Sequence, residues 1–201
     1  MAKLYFRYGA MNSGKSTALL QAAFNYEERG QRVLLSKPSV DTKGDQSIES
    51  RLGVTRDVDY VITPEDDTYV QFQRMRAEHI SATNQDVSCL LLDEAQFLTE
   101  EQVDGMLRIA LLEGIPVLAY GIRTDFRTKA FPGSRRLLEV AHSLEELKTI
   151  CRCGRKALFN GRRVGDRFIF DGDQVAIDGA EVTYESLCGV CYLQESGGVL
   201  G

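Results

Sequence analysis

Lys3-Leu4-Tyr5-Phe6-Arg7-Tyr8-Gly9-Ala10-Met11-Asn12-Ser13-Gly14-Lys15-Ser16 is the stretch on which the fold turns. Lys3–Tyr8 is aromatic-rich and alternates as a strand does. Gly9–Gly14 breaks that pattern, and from Lys15 and Ser16 a helical pattern runs to about Arg29, with Gly30 as its stop. Residues 9–16 fit G-x-x-x-x-G-K-[ST] in the strand, loop and helix setting that gives the pattern its meaning. Small residues let successive backbone N–H groups turn inward around a phosphate. The helix start adds partial positive charge, Lys15 adds a full one, and Ser16 offers a hydroxyl to Mg²⁺. The bland alternative is a glycine turn opening a helix whose lysine is solvated.

Outward from this loop the chain alternates strand and helix, as a parallel sheet requires. Gln31–Ser36 reads as a short strand, Glu65–Thr83 as a helix, Val87–Leu92 as a buried strand, Thr99–Glu113 as a helix and Ile115–Tyr120 as another buried strand. Pro38–Val54, with Asp41, Lys43, Gly44 and Asp45, shows no clean period and is expected to be a loop or arm. The fold class expected is α/β: a P-loop (RecA-like), mostly parallel sheet flanked by helices. Asp93-Glu94 ends the apolar run Cys89–Leu92, so both carboxylates emerge at the strand's C-terminal end, where open α/β sheets place their sites. Asp93 there suits the Mg²⁺ shell, and Glu94 suits taking a proton from an attacking hydroxyl. Capping of the next helix is the structural alternative, and Cys89 reads as core filling.

Composition shifts after about Lys148 to short, Gly-rich, strand-like segments, Arg167–Asp171 and Gln174–Ile177 among them, bracketed by two cysteine pairs. Cys151-x-Cys153 and Cys188-x-x-Cys191 lie 34 residues apart, and four thiolates in two knuckles suit a closed structural Zn²⁺ site; a redox pair or chance clustering stays as the alternative. The domains expected are residues 1–148, a nucleotide-binding domain, and residues 149–193, a small zinc-ribbon-like domain, followed by a disordered tail at 194–201. A small domain with few large apolar residues gains stability from such a staple.

Bulk charge limits the partners. Against 29 Asp+Glu stand 24 Lys+Arg, a net charge of -5, so no general grip on nucleic acid or on an anionic membrane is expected. No signal peptide or membrane-length apolar run appears, and a cytoplasmic, soluble chain is the expectation. A nucleic-acid-dependent ATPase with a zinc ribbon, or a nucleotide-sensing module without transfer activity, would share the phosphate loop and the cysteines.

Gly-x-Met-x-Ser-Gly-Lys-Ser at 9–16, Asp-Glu-Ala-Gln-Phe at 93–97, Asp-Phe-Arg-x-Lys-x-Phe at 125–131 and the late cysteine pairs together resemble the cytosolic-type (type II) thymidine kinases over about residues 3–193. The resemblance implies an ATP- and Mg²⁺-dependent kinase that phosphorylates thymidine at its 5′-hydroxyl in nucleotide salvage, works as a homotetramer and is inhibited by the end-product triphosphate. It implies Glu94 as catalytic base, with Gly9–Ser16 and Asp93, Glu94, Ala95 and Gln96 against ATP–Mg. Met11, Phe97, Phe126 and Phe131 are implied around the thymine ring, a flat group suited to aromatic and soft apolar contact. Val175, Ile177, Gly179 and Tyr184 fall in the family's lasso, whose main chain bonds the base and whose end a zinc knuckle holds. Two departures are the tight C-x-C knuckle and Lys43, where many relatives carry Arg; either Lys43 or Arg51 is the cation that approaches the phosphates.

Overall fold

Alternate residues along each central strand face opposite sides, and the chain uses this to build two cores on one sheet. The computed structural model describes residues 1–39, 46–174 and 182–201. β1 (Leu4–Tyr8), β2 (Arg32–Pro38), β5 (Tyr60–Ile62), β6 (Val87–Leu92), β7 (Val117–Gly121) and β8 (Ser143–Glu146) form a sheet in the order β5-β2-β6-β7-β1-β8, with every neighbouring pair parallel. On β6, Leu90 and Leu92 pack with Phe6, Leu34 and Val117 beneath α2 (Thr68–Thr83), α3 (Glu100–Arg108) and α4 (Pro132–Val140). Cys89 and Leu91 face the other way, against Leu19, Leu20 and Ala23 of α1 (Lys15–Glu27). Burial on both faces is why Val87–Leu92 is an unbroken apolar run.

Several boundaries differ from the sequence expectation, each for a local reason. α2 begins at Thr68, not Glu65, because the Asp67 side chain accepts from the N–H groups of Tyr69 and Val70 and so caps the helix there. α3 is opened by a capping box between Thr99 and Gln102, and its last stretch, Ile109–Glu113, widens into a π turn that Gly114 ends at φ 69°. β7 starts at Val117 rather than Ile115, since Pro116 has no N–H to give the sheet. The Pro38–Val54 arm contains order: β2 runs on to Pro38, and β3 (Ser47–Glu49) pairs antiparallel with β4 (Thr55–Asp57) across a turn in which Ser50 and Val54 bond each other. α4 and β8 carry no helical or strand reading in the sequence.

Beyond β8 the chain forms small antiparallel sheets. β9 (Thr149–Ile150) pairs with β10 (Lys156–Ala157), and β11 (Phe159–Val164) is flanked by β12 (Arg167–Ile169) and β13 (Val182–Leu187). The expected strand at Arg167–Asp171 therefore ends at Ile169, and Gln174 lies outside any strand. α5 (Gly189–Glu195) closes the chain, and the N–H of Gly198 donates back to the carbonyl of Leu193. The core here holds Cys151, Cys188, Cys191 and Tyr192, with only Ala157 and Leu187 as aliphatic members. No helix among the described residues is long and apolar enough to cross a membrane.

Candidate active site

The first helix starts where β1 ends, at the C-terminal edge of the sheet. Gly14 precedes it at φ 76°, a left-handed conformation that glycine adopts without strain, and Asn12 is left-handed at φ 66°. These turns fold the loop back so that the N–H groups of the first helical turn open into a cavity of about 280 Å³ lined by Met11, Lys15, Ser16, Thr17, Arg51 and Glu94, among others. Lys15 is buried, and its ammonium donates to the carbonyl of Ala10 at 3.1 Å. Burial pulls the Lys15 pKa down, and the carboxylates of Glu94 and Asp93 work against that pull. Among the described residues the Lys15 ammonium makes its hydrogen bond to a carbonyl rather than to a carboxylate, which suits it to receive an anion.

β6 lies two strands from β1 in the sheet order and delivers its carboxylates to the same edge. Asp93 is buried, accepts from Ser16 Oγ at 2.8 Å and accepts from the N–H of Glu94 at 3.0 Å. Desolvation, with the neighbouring Glu94 carboxylate, pushes its pKa up to about 6. Glu94 itself sits at φ 52°, which a residue with a Cβ occupies at a penalty on the order of 1 kcal/mol. Gln96 holds that conformation: its amide donates to the Glu94 carboxylate while its carbonyl oxygen accepts from the N–H of Ile122 at 3.1 Å. Gly121 gives Gln96 room, for a Cβ there would stand 2.7 Å from the same oxygen.

A second cavity, about 390 Å³, opens on the far side of Glu94, and Phe97, Phe126, Phe131, Asn160 and Tyr184 are among its walls. Phe97 and Phe131 meet edge to face with centroids 5.5 Å apart. Asp125 shapes this wall from below, accepting from the N–H groups of Arg127 (2.9 Å) and Lys129 (2.8 Å), so the turn projects Phe126 on one side and Phe131 at the start of α4 on the other. Met11, Glu94 and Ile122 line both cavities, which makes Glu94 the ionisable group at their junction.

One face of the small sheet closes the site. Asn160 on β11 accepts from the Met11 N–H at 2.7 Å and donates to the Thr124 carbonyl at 3.0 Å, while Ser186 on β13 donates to the Met11 carbonyl. Both polar groups of one phosphate-loop residue are therefore held by the C-terminal module. On that module, Cys151, Cys153, Cys188 and Cys191 bring their sulfur atoms within 4.8 Å of one another with no disulfide. Tetrahedral Zn²⁺ with Zn–S bonds of about 2.3 Å would hold its sulfurs about 3.8 Å apart, a spacing this cluster accommodates.

Similarity to known proteins bears directly on this arrangement. A family model described as thymidine kinase matches residues 2–192. The chain belongs to the thymidine kinase family. Curated relatives with that name include one from Legionella pneumophila (strain Paris), 47% identical over 98% of this chain and 92% of its own length. A second, from Idiomarina loihiensis, is 49% identical over 94% of each chain, and one from Rhizobium meliloti is 45% identical, also over 94% of each.

Family membership sets aside the nucleic-acid-dependent ATPase and the sensing module. Of the residues that the sequence pointed to, the structure brings Gly9–Ser16, Asp93 and Glu94 to one sheet edge and Met11, Phe97, Phe126, Phe131 and Tyr184 to the second cavity. Ala95 instead lies fully buried in the sheet core, and Gln96 faces the second cavity rather than the first. Val175, Ile177 and Gly179 fall outside the described residues, as does Lys43; Arg51, on the turn between β3 and β4, lines the first cavity. Sequence reasoning missed Ile122, Asn160, Arg162 and Ser186. Ile122 directly follows a buried strand at the edge where sites form, a signal that was available. Asn160, Arg162 and Ser186 are polar residues within strands, and their direction emerges only once β11 and β13 pair.

Proposed function

We propose that the chain transfers the γ-phosphoryl group of ATP to the 5′-hydroxyl of thymidine, with Glu94 as the base that accepts the hydroxyl proton. Carrying this reading is the position of Glu94 between a cavity built on phosphate-loop amides and one walled by aromatic rings. The triphosphate enters the first cavity, where the loop amides and the Lys15 ammonium hold the oxygens on which charge builds during an in-line transfer. Ser16 and Asp93 are the groups that would hold Mg²⁺, and a buried carboxylate whose near partner is a hydroxyl suits a hard cation. Mg²⁺ when bound neutralises charge shared between the phosphates. Thymidine enters the second cavity, with its flat base among Met11, Phe97, Phe126 and Phe131, closed by Tyr184 and the segment containing Val175, Ile177 and Gly179.

The same reading gives the four cysteines to a structural Zn²⁺ that holds β13, and with it Tyr184 and Ser186, against the site. Residues 1–148 and 149–193 are then separate in role: one holds ATP, and the other closes the nucleoside side. Assembly into a homotetramer belongs to this reading too, and light scattering on the purified protein measures it.

A panel of ribo- and deoxyribonucleosides incubated with ATP and Mg²⁺, scored for 5′-monophosphate, tests the proposal. Thymidine is expected to lead the panel. ATP consumption without phosphate appearing on any nucleoside would refute the assignment.

A further inference from the structure

β11 and β13 carry on one face a block of four polar side chains, two on each strand. In the antiparallel register Asn160 stands opposite Ser186, and Arg162 stands opposite Tyr184. Residues two apart on a strand share a face, so all four look the same way. Asn160 and Ser186 occupy themselves with the Met11 peptide. Arg162 serves a different partner set. It is buried, with a relative exposure of 6%, and its contacts among the described residues are neutral groups. Taking a guanidinium out of water is unfavourable unless its contacts compensate for the lost hydration.

Its actual contacts show what it offsets this with. The guanidinium carbon lies 3.7 Å from the centroid of the Phe126 ring, Nε donates to the Tyr184 hydroxyl at 3.1 Å, and Nη2 donates to the Gln174 carbonyl at 3.0 Å. Phe126, Tyr184 and Gln174 all line the 390 Å³ cavity, whereas Arg162 does not. The planar cation packs against the Phe126 ring without itself lining the cavity. It also ties down Tyr184 and the backbone at Gln174, ten residues apart in the sequence. Its planar fork does three tasks that a lysine ammonium, a point charge on a flexible stem, cannot do together.

We propose that Arg162 is a positioning residue for the nucleoside: packed against the Phe126 ring and bonded to Tyr184 and Gln174, it sets the aromatic wall against which the base lies. The inference rests on the second cavity being the nucleoside site. It acts on ground-state binding of the base and leaves the phosphate end untouched.

The test compares Arg162→Met, Arg162→Lys, Tyr184→Phe and the Arg162→Lys/Tyr184→Phe double variant with the unmodified protein, recording thymidine KM, ATP KM and kcat together with the melting temperature. Arg162→Met should raise thymidine KM about 10- to 100-fold while ATP KM and kcat stay within about 3-fold. Arg162→Lys should recover part of that loss, and the double variant should be less impaired than the product of its two single effects, because both remove one contact. Unchanged thymidine KM in a folded Arg162→Met protein overturns the proposal, as does an equal rise in both KM values. Should Arg162→Met fail to fold, Arg162→Lys and the double variant decide: multiplicative effects, or none on thymidine KM, overturn it. Failure of the underlying assignment looks different, since the unmodified protein would then form no thymidine 5′-monophosphate.

Discussion

The phosphate end and the nucleoside end of this site are built by opposite means. Phosphate-binding groups come from one continuous stretch, Gly9–Ser16, shaped by its own left-handed turns and packed on a sheet with two aliphatic cores. The nucleoside end is assembled from Phe97 after β6, Phe126 and Phe131 in the segment between β7 and α4, and Tyr184 on a small sheet whose core is largely cysteine and aromatic. Local chemistry specifies the first end, and long-range packing specifies the second. Perturbations should therefore separate them, except at Met11, where the two ends are bonded together.

Leaving aside the shared carboxylate Glu94, the largest expected effect lies at the phosphate end. Lys15→Ala removes the only full charge within the loop and should slow transfer about 10²- to 10³-fold, as loss of one strong electrostatic group does, with the fold intact by circular dichroism. Chelating the proposed structural Zn²⁺ comes next and acts from the other side. Thymidine KM should rise about 10-fold or more and ATP KM less, because the cysteine core supports β13 and Tyr184 directly but reaches the phosphate loop only through Asn160 and Ser186. Equal effects on both substrates would erase the contrast between the ends. A smaller effect tests their junction: Ser186→Ala leaves the half-buried Met11 carbonyl without this donor, and ATP KM should rise about 3- to 10-fold in steady-state assays.

Stability supplies the smallest effect. Asp93 has a raised pKa of about 6, so the folded chain binds its proton more tightly than the unfolded chain does. The charged carboxylate is then a destabilising load that is full above about pH 6 and is relieved progressively as the pH falls from about 6 towards 3.8, the ordinary value. In Mg²⁺-free buffer at pH 7.5, Asp93→Asn should raise the melting temperature by about 2–6 °C, and the gain should shrink near pH 5. No gain at pH 7.5 would mean that the site does not strain this carboxylate.

The same contrast explains what could be read from the sequence. The sheet edge was legible because a contiguous pattern at 9–16 and an apolar run ending in Asp93-Glu94 each carry their own geometry. Four cysteines likewise announced a cluster whatever fold brought them together. Arg162 and Ser186 were not legible, because a polar residue in a short strand says nothing about its direction until the partner strand and register are known. Gln96 was placed by likeness on the nucleotide side. Its amide turns back to Glu94 and Ile122 because the left-handed Glu94 reverses the chain there. The β3–β4 hairpin escaped notice because three-residue strands are too short to show a period.

The two ends matter only if one acid side chain serves both, and Glu94→Gln tests this while keeping size and hydrogen bonding. Rapid-quench measurement of a single turnover, alongside equilibrium binding of ATP–Mg²⁺ and thymidine, separates chemistry from binding. Both affinities should hold within a few-fold while phosphoryl transfer slows about 10²- to 10⁴-fold, the usual loss of a general base. Transfer at nearly the original rate would remove Glu94 from the chemistry and contradict the account of how the two cavities work together.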